Sequence, residues 1–175
     1  IGEVVAAVDR IPIIGNGDVI EPHDAVKLMA HSGCAGVMIA RAAIRKPWIF
    51  RQADAAVRLA RGEHPDSDVD RSALERQVAE PSLLEKFKVI RRHVEVCATH
   101  LNQRSAAELM RQRISWYGKS MGHVKPLKEA IRTAPDLPLL LGLVIFCCAR
   151  LEEEVPHRPH TILISESHNL HERTN

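Results

Sequence analysis

Two short turns in the first third of the sequence carry residue types that can bind an anion. The apolar stretch in "IPIIGNGDVI" ends at Asn16-Gly17-Asp18, and "GVMIA" leads into Ala40-Arg41-Ala42. Gly17 lets backbone N–H groups approach a ligand closely, and Arg41 can offer two parallel N–H donors to a phosphate. These turns predict a phosphate site. The alternative is a pair of ordinary βα turns in which Asp18 caps the next helix.

The segments around these turns predict alternating helices and strands. The pattern predicts helix 1–9, strand 11–15, helix 22–32, strand 36–40 and helix 47–61. Apolar strands that alternate with helices are typical of parallel β/α units. Two such units cannot close a sheet, and a complete barrel takes about 250 residues. We therefore expect an α/β fold in which residues 1–62 form the C-terminal part of a TIM (β/α)8 barrel, with the earlier strands upstream of Ile1.

Both turns are expected at the same end of this sheet. Ligands of parallel β/α folds bind beyond the carboxyl ends of the strands, and phosphate sites in barrels follow the last two strands. Neither turn contains G-x-G-x-x-G, so a Rossmann dinucleotide site is not predicted. If the turns bind phosphate, their placement predicts that Asn16-Gly17-Asp18 and Ala40-Arg41-Ala42 converge on one site.

The remainder of the chain is predicted to be helical and is locally basic. Residues 63–82 are polar and turn-rich and predict a linker, 83–150 predict an all-α helical bundle domain, and 151–175 form a tail of unknown role. Between residues 86 and 132, eleven lysines and arginines stand against three acids. This block indicates a polyanionic partner or, alternatively, a solvated charged face.

Several features bear on the environment of the chain. The longest apolar run, residues 137–149, is shorter than the roughly 20 residues of a membrane span, so it predicts a buried helix or a disturbed C-terminus. The four cysteines show no paired spacing, which favours free thiols and a cytoplasmic location. His-x-x-His pairs in the tail lack further ligands, so we predict no metal site.

Two segments resemble the tRNA-dihydrouridine synthases. "IPIIGNGDVIEPHDAVKLMAHSGCAGVMIARAAIRKPWIF" is similar to the last two β/α units of their barrel, and "MRQRISWYGK" at residues 110–119 resembles their helical-domain signature. The resemblance implies that Asn16, Gly17, Asp18, Ala40 and Arg41 hold the phosphate of FMN. It also implies NADPH as reductant, and transfer of a hydride to C6 of a tRNA uracil to give 5,6-dihydrouridine.

The same resemblance sets expectations for the rest of the molecule. The helical domain would bind tRNA, with Arg111, Arg113 and Lys119 as the expected RNA contacts. The family's catalytic cysteine, which protonates C5, belongs to earlier strands. We therefore expect no catalytic residue in this chain, and no activity of the chain alone. The full-length protein is expected to be a monomer without a membrane or stable protein partner.

The sequence departs from the family pattern at several positions. Ala40 stands where the family usually has glycine, and Arg45-Lys46 replaces a usual Gly-Asn. Those two charges indicate either an RNA contact or a solvated loop. Past Pro135 the likeness fades, which indicates a lineage-specific segment or a frameshift. Two other functions remain open, a non-enzymatic RNA-binding remnant and another FMN- or phosphate-binding TIM-barrel oxidoreductase.

Overall fold

The chain forms two compact units. A computed structural model describes residues 1–63, 68–121 and 125–153. The N-terminal unit is Ile1–Glu80 and the C-terminal unit is Pro81–Asn175.

The N-terminal unit contains a two-stranded parallel sheet and five helices among its described residues. In chain order these are α1 (Gly2–Ala7), β1 (Ile14–Asn16), α2 (Pro22–Ser32), β2 (Gly36–Met38), α3 (Arg41–Arg45), α4 (Ile49–Ala60) and α5 (Asp68–Val78). Ile14 pairs with Gly36 and Asn16 with Met38. This parallel register, with α2 as the crossover, confirms the predicted β/α pairing. β1 begins later than residue 11, because Pro12 has no N–H to give to a ladder.

Local signals determine the ends of α2. Pro22 occupies its first turn, and a capping box joins Glu21 to Asp24, whose carboxylate accepts from the Glu21 N–H at 2.9 Å. That backbone hydrogen bond is the main reason why the pKa of Asp24 is lowered. Gly33 ends the helix with φ 70°. Since Glu21 is the cap, Asp18 does not cap this helix.

A close contact between β1 and the side chain of Cys34 requires glycine at position 15. A Cβ on Gly15 would lie 2.8 Å from the Cys34 Sγ, a distance that real Cβ atoms do not show. Cys34 is buried at the amino end of β2. Its thiol therefore packs in the space that a side chain at position 15 would take.

The stretch 63–82 contains α5, where a linker was predicted. The buried side chain of Gln52 donates to the carbonyls of Val78 and Ala79, at 3.0 Å each, and so holds the end of α5 against α4. Among the α5 residues whose burial the structure describes, Leu74 is the one in the buried core. The helix is otherwise so polar that its composition resembles that of a loop. The boundary between the units accordingly falls after Glu80.

The described part of the C-terminal unit is all helical. It comprises α6 (Leu83–His100), α7 (Gln103–Tyr117), a 3₁₀ turn (Gly118–Ser120), α8 (Lys125–Thr133) and α9 (Leu137–Glu153). Ser82 and Glu85 form a capping box for α6. Asn102 caps α7 by accepting from the Ser105 N–H at 2.9 Å, so the helix begins at Gln103.

The apolar run at 137–149 forms most of α9, a helix that contributes one whole face to the core of the C-terminal unit. Its buried residues are Leu137, Leu140, Val144, Cys147, Cys148 and Leu151. They pack with buried side chains of α6 and α7, among them Phe87 and Met110. None of the described helices is both long and apolar enough to cross a membrane. Residues 154–175, with the histidine pairs of the tail, lie outside the described residues.

Candidate functional site

The five predicted phosphate-site residues line one cavity at the carboxyl ends of β1 and β2. The cavity has a volume of about 640 Å³. Its lining consists of Asn16, Gly17, Asp18, Val19, Ile20, Ala40, Arg41, Ala42, Arg45 and Lys46. The parallel register of the strands places both turns there, since it brings Asn16 beside Met38.

Ion pairs across the cavity connect the two turns. The guanidinium of Arg41 donates to the carboxylate of Asp18, and the ammonium of Lys46 lies 2.7 Å from a carboxylate oxygen of Glu21. The side chains of Arg41 and Asp18 are 84% and 70% exposed. An exposed ion pair of this kind orients the arginine but contributes little to the stability of the fold. The guanidinium therefore remains accessible to an incoming anion.

The backbone conformation and the packing at the two turns are compatible with Ala40 and Gly17. Ala40 has φ −112° and precedes α3, so its methyl group meets no left-handed backbone strain. A Cβ at Gly17 would lie 3.5 Å from Leu28, an ordinary contact on the side of α2. Protein packing thus does not require glycine at position 17, in contrast to position 15.

All four cysteines are buried, and none lines the cavity. Cys34 lies behind β1, in contact distance of Gly15. Cys97, Cys147 and Cys148 belong to the C-terminal core. Burial raises the pKa of Cys147 to about 12, so this thiol stays protonated at neutral pH.

The three residues predicted to contact RNA have different environments in the C-terminal unit. Arg111 donates to the carbonyl of Ala134 from Nε at 3.0 Å and from Nη2 at 2.7 Å, and to that of Pro135 at 2.9 Å. This side chain therefore joins α7 to the end of α8. Arg113 is half-buried, with its guanidinium carbon 4.5 Å from the centroid of the Trp116 ring. Lys119 is exposed in the 3₁₀ turn.

Most other cations of the basic block are neutralised by neighbouring acids. Arg91 pairs with Glu95 and Arg104 with Glu108, each one helical turn apart. Lys88 reaches from α6 to Glu152 of α9. No carboxylate among the described residues pairs with Arg113 or Lys119. The accessible positive charge of this unit is therefore carried by fewer side chains than its composition indicates.

A partly buried polar pair lies beside Arg113. His93 Nδ1 and the Tyr117 hydroxyl share a hydrogen bond of 2.8 Å, with the rings in an edge-on arrangement. Burial, assisted by the charge of Arg113, lowers the pKa of His93, and burial raises the pKa of Tyr117. Both side chains are thus neutral at physiological pH, and His93 adds no charge to the surface. The sequence offered no signal for this pair, whose residues are 24 positions apart.

Comparisons with known sequences identify the family of the chain. The sequence model of the dihydrouridine synthase (Dus) family matches residues 1–137. The chain is 30% identical over 159 residues to the "Probable tRNA-dihydrouridine synthase" of Mycobacterium leprae (strain TN), covering 89% of this chain and 36% of that protein. It is 29% identical over 143 residues to "tRNA-dihydrouridine synthase B" of Xanthomonas axonopodis pv. citri (strain 306), covering 81% and 38%.

A shorter match has a higher identity. The chain is 50% identical over 42 residues to "tRNA-dihydrouridine synthase B" of Pectobacterium carotovorum, covering 24% of this chain and 13% of that protein. The chain belongs to the dihydrouridine synthase family. It spans somewhat over a third of the length of the first two of these relatives.

Proposed function

We propose that the chain supplies the last two β/α units of an FMN-binding barrel and the helical tRNA-binding domain of a tRNA-dihydrouridine synthase. The reaction is the reduction of uridine in tRNA to 5,6-dihydrouridine, with NADPH as the reductant. The observation that carries the proposal is the cavity in which Asn16, Gly17, Asp18, Ala40 and Arg41 come together. Its position matches the place where barrels of this kind bind phosphate.

The residues around the cavity fit the phosphate of FMN. Arg41 presents an exposed guanidinium, and Asp18 holds it at the rim. Arg45 and Lys46 raise the local positive charge. When bound, FMN reduced by NADPH supplies the hydride that C6 of the uracil accepts. We assign the proton at C5 to a residue outside this chain, because all four of its cysteines are buried away from the cavity.

Arg113 and Lys119 are the strongest candidates for RNA contacts in the C-terminal unit. Both lack a carboxylate partner among the described residues, so neither has to break an ion pair to meet a phosphate. Arg113 is also oriented by the Trp116 ring. Arg111 is already committed to the carbonyls of Ala134 and Pro135. We therefore rest the proposed tRNA binding on Arg113 and Lys119.

Arg41→Ala is expected to remove phosphate-dependent binding of FMN. The ³¹P resonance of FMN should shift when the chain is added, and the variant should weaken this binding at least tenfold, because a charge-assisted bidentate contact is lost. Riboflavin, which lacks the phosphate, is the matched ligand control. Arg61→Ala is the matched protein control, since Arg61 lines a different cavity. Equal affinity for FMN and riboflavin would contradict the assignment.

The double variant Arg113→Ala/Lys119→Ala is expected to weaken binding of an unmodified tRNA transcript about tenfold. The slope of log K against log salt concentration should fall by about 2, since each lost phosphate contact removes about one unit. Fluorescence anisotropy at several salt concentrations measures both quantities. The control, Arg91→Ala/Arg104→Ala, removes the same charge from ion-paired positions. A control that weakens binding equally would show that only net charge matters.

A further inference from the structure

Arg45 is the one basic side chain of the cavity lining that no described residue neutralises. Arg41 pairs with Asp18, and Lys46 pairs with Glu21. Arg45 has neither an ion pair nor a hydrogen bond within the described ranges, and its side chain is exposed. A ligand anion would therefore not have to displace an acid in order to reach it. This is the condition under which an arginine contributes most to phosphate binding.

The position of Arg45 is defined by its surroundings. It follows Arg41 by four residues in α3, so the two side chains lie on one face of the helix, about 6 Å apart along the axis. The Lys46 N–H donates to the Ala42 carbonyl at 2.8 Å, and the Lys46 side chain is held by Glu21. Pro47 follows at once and ends the helix. Arg45 is therefore the last residue of α3 and lies directly before this anchored end.

The cavity that Arg45 lines also exposes an apolar side chain. Ile20 belongs to the same cavity lining and is 60% exposed. A cation and an exposed aliphatic side chain in one cavity suit a nucleotide, whose phosphate carries charge and whose base and ribose carry apolar surface. A small inorganic anion would use the charge alone.

We propose that Arg45 binds a backbone phosphate of the substrate tRNA at the mouth of this cavity, one helical turn from the flavin phosphate at Arg41. This inference rests on the proposed function and extends it to a positioning residue in the N-terminal unit. The contact orients the strand that carries the target uridine. A base that is reduced must leave its stack to reach the cavity, and a fixed phosphate next to it restricts the flipped nucleotide to fewer orientations.

The test compares Arg45→Gln and Arg45→Lys in the full chain, with an unmodified tRNA transcript as the probe. Arg45→Gln is expected to weaken binding three- to fivefold and to lower the salt slope by about 1. Arg45→Lys keeps the charge and should keep the slope. Arg61→Gln removes an exposed charge that pairs with Glu63 and lines a different cavity, and it should leave affinity within twofold. Thermal unfolding of each variant verifies that the fold is retained.

The outcomes separate this inference from the proposed function. An unchanged slope in Arg45→Gln, together with weaker binding by Arg113→Ala/Lys119→Ala, would overturn the inference and leave the proposed function standing. Loss of the FMN ³¹P shift in Arg45→Gln with unchanged tRNA affinity would place Arg45 in the flavin site and overturn the inference too. No binding of the transcript by the unmodified chain would overturn both.

Discussion

Leu140→Ala is expected to destabilise the C-terminal unit by about 3 kcal/mol. The Leu140 side chain is 0% exposed and lies in the core that α9 shares with α6 and α7. Truncation of a buried leucine removes transfer energy and leaves a cavity, at a cost of about 2–5 kcal/mol. The free energy of unfolding should fall accordingly in a urea titration. The only two tryptophans are Trp48 and Trp116, so a Trp48→Phe background makes fluorescence report on the C-terminal unit.

The neighbouring leucine provides the control for this prediction. Leu139 is 37% exposed on the same helix, and Leu139→Ala should change stability by less than about 1 kcal/mol. Equal unfolding midpoints for the two variants would contradict the placement of α9. The result matters because α9 continues past residue 137, where the match to the family ends. A large loss at Leu140 would show that this segment belongs to the folded domain.

Arg111→Ala is expected to destabilise the same unit by about 2–3 kcal/mol. The guanidinium donates three hydrogen bonds to the carbonyls of Ala134 and Pro135, where the chain passes from α8 to α9. Bonds to a charged group contribute about 1.5–3 kcal/mol, and their loss leaves the partly buried Ala134 carbonyl without this donor. The unfolding temperature should fall by roughly 10 °C or more for a unit of this size.

Arg111→Lys separates the structural role of this residue from a role in RNA binding. Lysine keeps the charge but cannot donate from two positions to one carbonyl, so most of the stability loss should remain. Arg104→Ala is the matched control, because the Arg104 side chain is 90% exposed and pairs only with Glu108; its effect should stay within about 0.5 kcal/mol. A stable Arg111→Lys with normal tRNA affinity would show that the charge of Arg111, not its hydrogen bonds, matters.

The ion pairs of the C-terminal unit determine which of its cations can contribute to the proposed RNA interface. Composition places eleven cations in the basic block, yet Arg91, Arg104 and Lys88 each have an acid within hydrogen-bonding range. Two of these pairs follow from i,i+4 spacing and can be found in the sequence. The third joins α6 to α9, and Arg111 meets carbonyls 23 and 24 residues away. Only the tertiary structure shows which charges remain available to a ligand.

The sequence by itself determined the features that depend on near neighbours. The ends of α2 follow from Glu21, Pro22 and Gly33, because caps and left-handed glycines act within one helical turn. Alternation of apolar segments predicted the parallel strand pair, and the end of each strand predicted where a phosphate site would lie. The five residues of that site line one cavity for this reason.

The tertiary structure alone decided the features that depend on distant partners. Asp18 meets Arg41, and Gln52 holds the end of α5, although the partners are more than 20 residues apart in each case. The buried face of α9 and the requirement for glycine at position 15, opposite Cys34, were decided in the same way. A local pattern shows which groups a residue can bond or pack. Which partner it meets depends on how the chain brings distant segments together, because hydrogen bonds and packing act only over a few ångströms.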